Sequence, residues 1–491
     1  FDTMLVAHLI EDGADRFPAG HFSLAGVADR YLGIPLEKTL QVSDWSGPLS
    51  NEQITYAARD AAVLPRIHAV MTERLREHDL ERVASLEMRA LPSLVWLERT
   101  GAPFDAEGWG TLAEQAARRQ VELDHELTRV SGTTSDQPTI FGETAGTVNW
   151  GSPEQVKRVL TERGHVVERV DEATLARLLD VEPLAQLLLD YRDAAKRVGT
   201  YGLDFLKHVH PVTGRVHADW HQLGSRAGRM SCSKPNLQQV PRDRAYRACF
   251  RPAEGRALVK ADFSQIELRI AAEIANDERL IAAYAAGEDV HTLTAAEVLG
   301  RRNGSVTKDD RQAAKALNFG LIYGAGGPTL RATAKTSYGV ELSESDVMTF
   351  RRRFFDLYAG LKRWHRGQPG EERPVDTRTL AGRRRLGVTR FTEKLNSPVQ
   401  GSGADGLKAA LALLWETRDR CPSAAPILVV HDEIVLECDV ADVEQARDWL
   451  TDCMTRGLSS FLTRVPVVVE ATIERDWSGT PLAVESAEGA A

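Results

Sequence analysis

Three short segments carry residues whose types and spacing could do chemistry. In the first, Lys260-Ala-Asp-Phe-Ser-Gln-Ile-Glu-Leu-Arg269, a strand-like run delivers Asp262 to its end and a helical pattern then carries Glu267. A carboxylate at a strand end is held rigidly yet reaches solvent, as a metal ligand must; a helix cap or a surface acid is the plainer role for it. In the second, Val429-Val430-His431-Asp432-Glu433-Ile434-Val435-Leu436, two apolar runs flank a charged tripeptide, the pattern of a hairpin with acids at its tip. Adjacent acids between buried strands cost stability unless cations compensate, although an exposed polar turn would read the same way. In the third, Arg311, Lys315, Phe319 and Tyr323 recur every four residues and share one helical face. Two cations followed by two rings could grip a nucleotide, charges on phosphates and rings against the base; alone, the stripe could equally be packing. Taken together, two carboxylate sites and a phosphate-gripping helix are the parts of two-metal phosphoryl transfer.

The elements that must position these residues are mostly helical. Periodicity predicts helices over 22–32 (Leu24, Val27, Ala28 and Leu32 on one face), over 51–64 behind Ser50 as N-cap, and over 71–99. The last of these ends at Arg99-Thr-Gly-Ala-Pro103, a stop that could mark a domain junction. Further helices are expected over 111–131, about 183–208, 265–275 and 309–323. A strand is expected over 256–261, and strand, turn, strand over 426–437. The Gly/Thr/Ser-rich segment 132–152 reads as loop or short strands, and the terminal VESAEGAA as a fraying tail. No internal repeat is visible. The pattern is mixed α/β, with a small sheet assembled from distant segments.

Length and composition bound the class. The 491 residues suggest two to four domains, and 43% apolar with 27% charged is the balance of a globular protein. No apolar run approaches the ~18–20 residues of a membrane helix. Phe1 and the lack of a leader pattern suggest an internal fragment or processed product. Five scattered cysteines without a C-x-x-C pair speak against a disulfide framework or zinc knuckle, and for a reducing cytoplasm. The net charge is −9, but residues 226–251 carry 7 basic against 1 acidic side chain and residues 351–390 carry 12 against 4. Two basic islands in an acidic protein suggest a phosphate-lined groove, a solvated charged face being the alternative for either one.

Here a resemblance becomes specific. DFSQIELR, RQAAKALNFGLIYG and VHDEIVLE resemble motifs A, B and C of the family A DNA polymerases, in order. SRAGRMSCSKPNLQQVP (225–241), TLAGRRRLG (379–387) and LNSPVQGSGADGLKAAL (395–411) are similar to supporting segments of that family. The resemblance implies a right-hand α/β (α+β) polymerase fold: a palm with a small antiparallel sheet, and helical fingers and thumb. The implied limits are thumb 81–225, palm 226–275, fingers 276–394 and palm 395–491. It implies template-directed DNA synthesis in replication or repair, with primer-template DNA and dNTPs as partners of a cytoplasmic monomer. The implied cofactors are two Mg²⁺ ions, with Mn²⁺ as a substitute.

Residue by residue, the resemblance assigns metal binding to Asp262, Asp432 and the Phe263 carbonyl, and a supporting acid to Glu433. Arg311 and Lys315 match cations on the triphosphate, Lys315 also the proton donor to pyrophosphate. Phe319 and Tyr323 match the rings framing the incoming sugar and template base, and Gln265 a further nucleotide contact. Glu267 matches the steric gate against a 2′-hydroxyl. Arg229, Asn396 and Gln400 match minor-groove contacts, and His431 a contact to the primer terminus. The family position of Phe319 discriminates against dideoxynucleotides when it is Phe. The basic islands are then expected on DNA phosphates (226–251) and on the fingers (351–390).

Residues 1–80 resemble the C-terminal part of an RNase H-like 3′–5′ exonuclease domain of the DEDDy class, with FDTML as a strand holding Asp2 and with Tyr56 and Asp60 as remnants of the third motif. The other acids of that class would precede residue 1, so proofreading is not expected of this fragment, and half a domain is expected to expose sheet edges. Two other readings stay open: a non-catalytic primer-template clamp, against which the Asp262/Asp432 pair and Lys315 weigh, and a nuclease, which the missing exonuclease motifs disfavour.

Overall fold

The computed structural model describes residues 1–12, 17–132, 148–298, 300, 305–339, 342–370 and 373–482. Most of the Gly/Thr/Ser-rich segment (133–147) and the VESAEGAA tail lie outside these. The chain divides into two compact units. One comprises residues 1–100, 218–238 and 255–473; the other comprises 101–217, 239–254 and 474–491. The Gly/Pro stop at 99–103 coincides with the cut at Thr100/Gly101, and residues 81–100 group with the first unit.

The first unit is built on a four-stranded sheet in the order Val469–Glu474, Arg256–Phe263, Glu433–Asp439, Ala425–Val430. The two pairs made by Glu433–Asp439 are antiparallel, and their register sets Asp262 opposite Glu433 and Val430 opposite Glu433 on the other side. The helices Phe391–Glu416 and Val443–Ser459 press against each other so closely that a Cβ at Gly457 would stand 2.6 Å from the Ala410 nitrogen. Only glycine permits that approach. Pro65, Pro92 and Pro398 all sit inside helices that run through them.

A fully buried charge network joins three distant segments of this unit. Lys408 Nζ donates to Glu87 Oε1 at 2.6 Å, Arg383 donates to both Glu87 and Asp405, and Thr379 Oγ1 donates to Asp405 Oδ2 at 2.6 Å. Glu87, Asp405 and Lys408 are 0% exposed and Arg383 4%. Burial would raise the Glu87 pKa, but Lys408 and Arg383 outweigh it and hold the carboxyl below its usual range. Burial pushes Lys408 down to about 8.

Two sequence expectations fail here. FDTML is not a strand: Asp2 accepts from Leu5 N–H as N-cap of the helix Thr3–Glu11, whose Leu5, Val6, Leu9 and Ile10 are buried at helical spacing. Residues 1–77 form three helices with no strand among the described residues, so the expected sheet edges are absent from them. Nor is 71–99 one helix. Asn51–Glu77, opened by a reciprocal Ser50/Gln53 capping box, stops before Glu81–Thr100 begins. Asp79 adopts φ 52° and Leu80 N–H returns to the Leu75 carbonyl at 2.9 Å. This is a left-handed helix terminator with Asp where glycine is usual, closed by burying Leu75 and Leu80, and so without the expected signal.

The second unit pairs the helices Ala106–Ser131 and Pro183–Tyr201. The expected helix over 183–208 breaks at Gly202 into a 3₁₀ segment, Leu203–His208. Trp109 is fully buried among Phe104, Tyr201, Phe205, Tyr246 and Phe250, and a second core gathers Leu123, Leu127, Trp150, Leu160 and Leu188. All five cysteines of the chain are buried and unpaired.

Candidate active site

The apolar run of Arg256–Phe263 makes a core strand whose end carries Asp262 out to the surface of a cleft of about 490 Å³. On the adjacent strand pair, His431 and Asp432 form a two-residue hairpin turn between Val430 and Glu433. His431 has φ 59°, the left-handed conformation that such turns require at their first position and that non-glycine residues adopt at a cost. The turn aims Asp432 at Asp262, and the two carboxyl groups share a hydrogen bond. Burial, then Asp432, Glu433 and Glu470, push Asp262 up to about 7. Asp432 is raised too, by burial first.

Two half-buried carboxyls that resist ionising side by side are a site lacking positive charge. Among the described residues no group of three or more His, Cys, Asp or Glu side chains is preassembled for a metal ion. Two hard oxygen ligands nonetheless fit a divalent cation such as Mg²⁺, which keeps waters and substrate phosphates in the rest of its shell. Phe263 and Gln265 line the same cleft. Gln265 sits at φ 52° just before the helix Ile266–Ala275 and accepts a hydrogen bond from Tyr284 Oη at 3.2 Å.

The opposite wall is the helix Lys308–Ile322, N-capped by Thr307, from which Arg311, Lys315 and Phe319 face the cleft. Arg311 Nε donates to Asp289 Oδ2 at 2.5 Å. Lys315 has no ion-pair partner among the described residues. Tyr323, just past the helix end, donates to Glu267 Oε2 at 2.6 Å, and Arg229 donates to Glu267 Oε1 at 3.0 Å. Glu267 is thus held at both oxygens on the cleft wall. Burial, with Glu267 adding to it, raises the Tyr323 pKa and keeps the phenol neutral.

Gln400 and His431 also line the cleft. Asn396 lies one turn before Gln400 on the helix Phe391–Glu416, and its Oδ1 is buried without a hydrogen-bond partner. Glu433 stands beside the pair as an electrostatic neighbour. Tyr56 and Asp60 lie apart from the cleft, on the helix Asn51–Glu77. There Lys38 Nζ donates to Asp60 Oδ2 at 2.7 Å and stands 5.3 Å above the Tyr56 ring, an ammonium on the carboxylate of the third-motif remnant.

Three residues of this region escaped the sequence reading: Asp289, His291 and Glu470. His291 lines the cleft, 2% exposed, with its ring 6.0 Å from that of Phe319. The Asn318 amide bridges Thr294 Oγ1 at 3.0 Å and His291 Nδ1 at 2.8 Å, which holds the ring in place. Burial pushes its pKa down to about 4, which leaves a neutral donor. His291 sits among Thr292, Thr294 and Glu297 in the helix Val290–Val298, so nothing local marks it; Glu470 lies on a strand with no motif around it.

The basic islands are largely engaged within the protein. Arg226 pairs with Asp12, Arg229 with Glu267, Lys234 with Asp219 and Arg251 with Asp105. In the hairpin Val375–Arg378/Arg384–Val388, Arg378 donates to the His78 carbonyl, Arg384 to that of Ile10, and Arg385 to Glu393. That part of the second island braces the N-terminal helices.

Comparison with known proteins is consistent along the chain. Residues 119–479 match DNA polymerase family A, and residues 1–76 match a 3′–5′ exonuclease family. DNA polymerase I of Aquifex aeolicus (strain VF5) is 34% identical over 513 residues, spanning 97% of this chain and 84% of that protein. DNA polymerase I of Pseudomonas aeruginosa is 33% identical over 519 residues, and the chain spans 53% of its length. Among solved structures, the POL domain of Pol1 from M. smegmatis, in complex with DNA primer-template and dNTP, superposes with a TM-score of 0.80 at 26% identity. That match covers 97% of this chain and 82% of the other.

Proposed function

The chain belongs to DNA polymerase family A, and from that premise we propose that it extends a primer 3′ end with dNTPs on a DNA template. The observation that carries this reading is the cleft in which Asp262 and Asp432 face Arg311 and Lys315. Two bound divalent cations, Mg²⁺ or in its place Mn²⁺, would supply activation of the attacking oxygen and charge relief on the departing pyrophosphate. Asp262, Asp432 and the Phe263 carbonyl would hold them, with Glu433 and Glu470 adding negative field.

The remaining work falls to the chain's own groups. Arg311 exchanges Asp289 for triphosphate oxygens, and Lys315, unpaired beforehand, gives its proton to the leaving pyrophosphate. Phe319, Tyr323 and Gln265 frame the incoming nucleotide. Arg229, Asn396 and Gln400 donate to minor-groove acceptors, which differ little between base pairs and so test pair shape rather than sequence. His431 meets the primer terminus. Partners are primer-template DNA and dNTPs, and we infer a monomer. Five unpaired cysteines support a reducing, cytoplasmic setting. No helix among the described residues is long and apolar enough to cross a membrane.

Primer extension on a labelled primer-template with Mg²⁺, with and without dNTPs, tests the reading. Template-dependent growth is expected; tight binding without growth would favour the clamp. Shortening without dNTPs is not expected, because Lys38 already neutralises Asp60.

Three further outcomes follow from the cleft. Glu267→Ala should raise ribonucleotide incorporation at least about tenfold, or ~1.4 kcal/mol, measured as kcat/KM for rNTP against dNTP. Phe319→Tyr should raise dideoxynucleotide use by at least as much, read from termination ladders; equal ladders would refute the role given to Phe319. Because Asp262 titrates at about 7 without a cation, protons compete with metal. Divalent-ion affinity should therefore rise about tenfold from pH 6 to 8, measured by calorimetry without DNA.

A further inference from the structure

The N-terminal helices and the catalytic cleft are joined through one ion pair. Asp12 ends the helix Thr3–Glu11 at φ 51°, a left-handed conformation that aspartate tolerates better than most side chains. Its side chain is 2% exposed, and Oδ2 accepts from Arg226 Nη2 at 2.7 Å and from the Leu386 N–H at 2.7 Å. Arg226 Nη2 also donates to the Leu386 carbonyl at 3.0 Å, while its Nε is buried without a hydrogen-bond partner. A helix that matches an exonuclease family thus ends, through a buried carboxylate, on the part of the chain that matches the polymerase family.

Arg226 lies in a tight turn that leads to the cleft. Gly228 N–H donates to the Ser225 carbonyl at 2.9 Å, Arg229 N–H to Ser225 Oγ at 3.1 Å, and Gly224 N–H to the Arg229 carbonyl at 3.0 Å. Two neighbours grip the turn from outside. A Cβ at Gly228, whose φ is 83°, would stand 2.5 Å from Arg383 Nε, and one at Gly401 would stand 2.9 Å from the Ala227 carbonyl. A turn closed by its own hydrogen bonds and packed this closely transmits strain, so a shift at Arg226 reaches Arg229. Arg229 in turn donates to Glu267 Oε1 at 3.0 Å, and Tyr323 holds the other oxygen.

We propose that Asp12 is a positioning residue for the nucleotide site: through Arg226 it fixes the turn 224–229, and with it the grip of Arg229 on Glu267 that sets discrimination against ribonucleotides. The role of Glu267 rests on the polymerase reading above. The helix Thr3–Glu11 then serves sugar selection in the polymerase cleft.

The test uses the whole chain as wild type, Asp12→Asn, Glu267→Ala and the double variant. Asparagine also tolerates the left-handed conformation, so the first substitution removes charge at little backbone cost. Values of kcat and KM are measured for a dNTP and the matching rNTP, and urea midpoints are read in parallel. Asp12→Asn should keep kcat for the dNTP near wild type and lower the preference for dNTP over rNTP by about threefold, the scale of coupling through packed networks. With Glu267→Ala already in place, it should lower the preference no further. Arg226→Met cuts the same link from the other side and should match Asp12→Asn, and it replaces that variant if Asp12→Asn does not fold.

An unchanged preference in Asp12→Asn, or an equal fall in both backgrounds, would overturn the proposal and leave the ion pair a structural contact. The urea midpoints decide without catalysis. No described residue bonds to both Asp12 and Glu267, so their substitutions should be non-additive in stability only if the turn carries the coupling. Additive midpoints would overturn the proposal too. Should the midpoints be non-additive while wild type extends no primer, the polymerase reading would fall and the link from Asp12 to Glu267 would stand.

Discussion

Asp432→Ala is expected to cut primer extension at least about 10³-fold, ~4 kcal/mol of transition-state stabilisation, in single-turnover assays at saturating dNTP. The size follows from what the residue does in the cleft. Asp262 and Asp432 are the two carboxyls within hydrogen-bond reach of each other there, and each is held above its usual pKa by burial and by neighbouring acids. Removing one leaves a single carboxylate, with the Phe263 carbonyl, to hold two cations. The same substitution removes repulsion when no divalent ion is present. The melting temperature in EDTA should therefore hold or rise, while the stabilisation gained on adding Mg²⁺ should shrink. Loss of activity with a falling melting temperature in EDTA would point instead to damage of the hairpin.

The second large effect concerns stability. Glu87→Ala should destabilise the first unit by about 3–5 kcal/mol, because Lys408 and Arg383 would then share a dry site with Asp405 as the remaining anion. Replacing Glu87 and Lys408 together by Leu and Met should recover most of that loss, since Arg383 with Asp405 is neutral as a pair. Urea midpoints of the wild type, Glu87→Leu, Lys408→Met and the double variant form a double-mutant cycle that measures this coupling. A double variant as unstable as Glu87→Ala would mean that packing around the network, not its charge balance, sets the cost.

The sequence disclosed the site more fully than the fold. Asp262, Asp432, Arg311, Lys315 and Phe319 can be grouped by their spacing alone because strand ends, a hairpin tip and a four-residue helical step are local patterns. His291 and Asp289 cannot, because their approach to Phe319 and Arg311 depends on packing between separate helices. The break at 78–80 is hidden because Asp79 fills a position that glycine usually announces. The family resemblance implies a strand at FDTML, yet Asp2 capping Leu5 selects the helix. For the basic islands composition alone does not decide, since burial and partner choice determine whether an arginine meets a phosphate or a carbonyl.

The five buried cysteines have a practical consequence. Burial pushes the thiols of Cys232 and Cys421 up, those of Cys249 and Cys453 to about 11, and that of Cys438 to about 12. Alkylating reagents attack thiolate, so the folded chain should be nearly silent to maleimide at neutral pH. A cysteine introduced at exposed Met348 would then be a single addressable handle on the helix Glu344–Leu357, taking a fluorophore with every native thiol left in place. The native five would keep a second use, since the rate at which they become labelled clocks how often each unit opens.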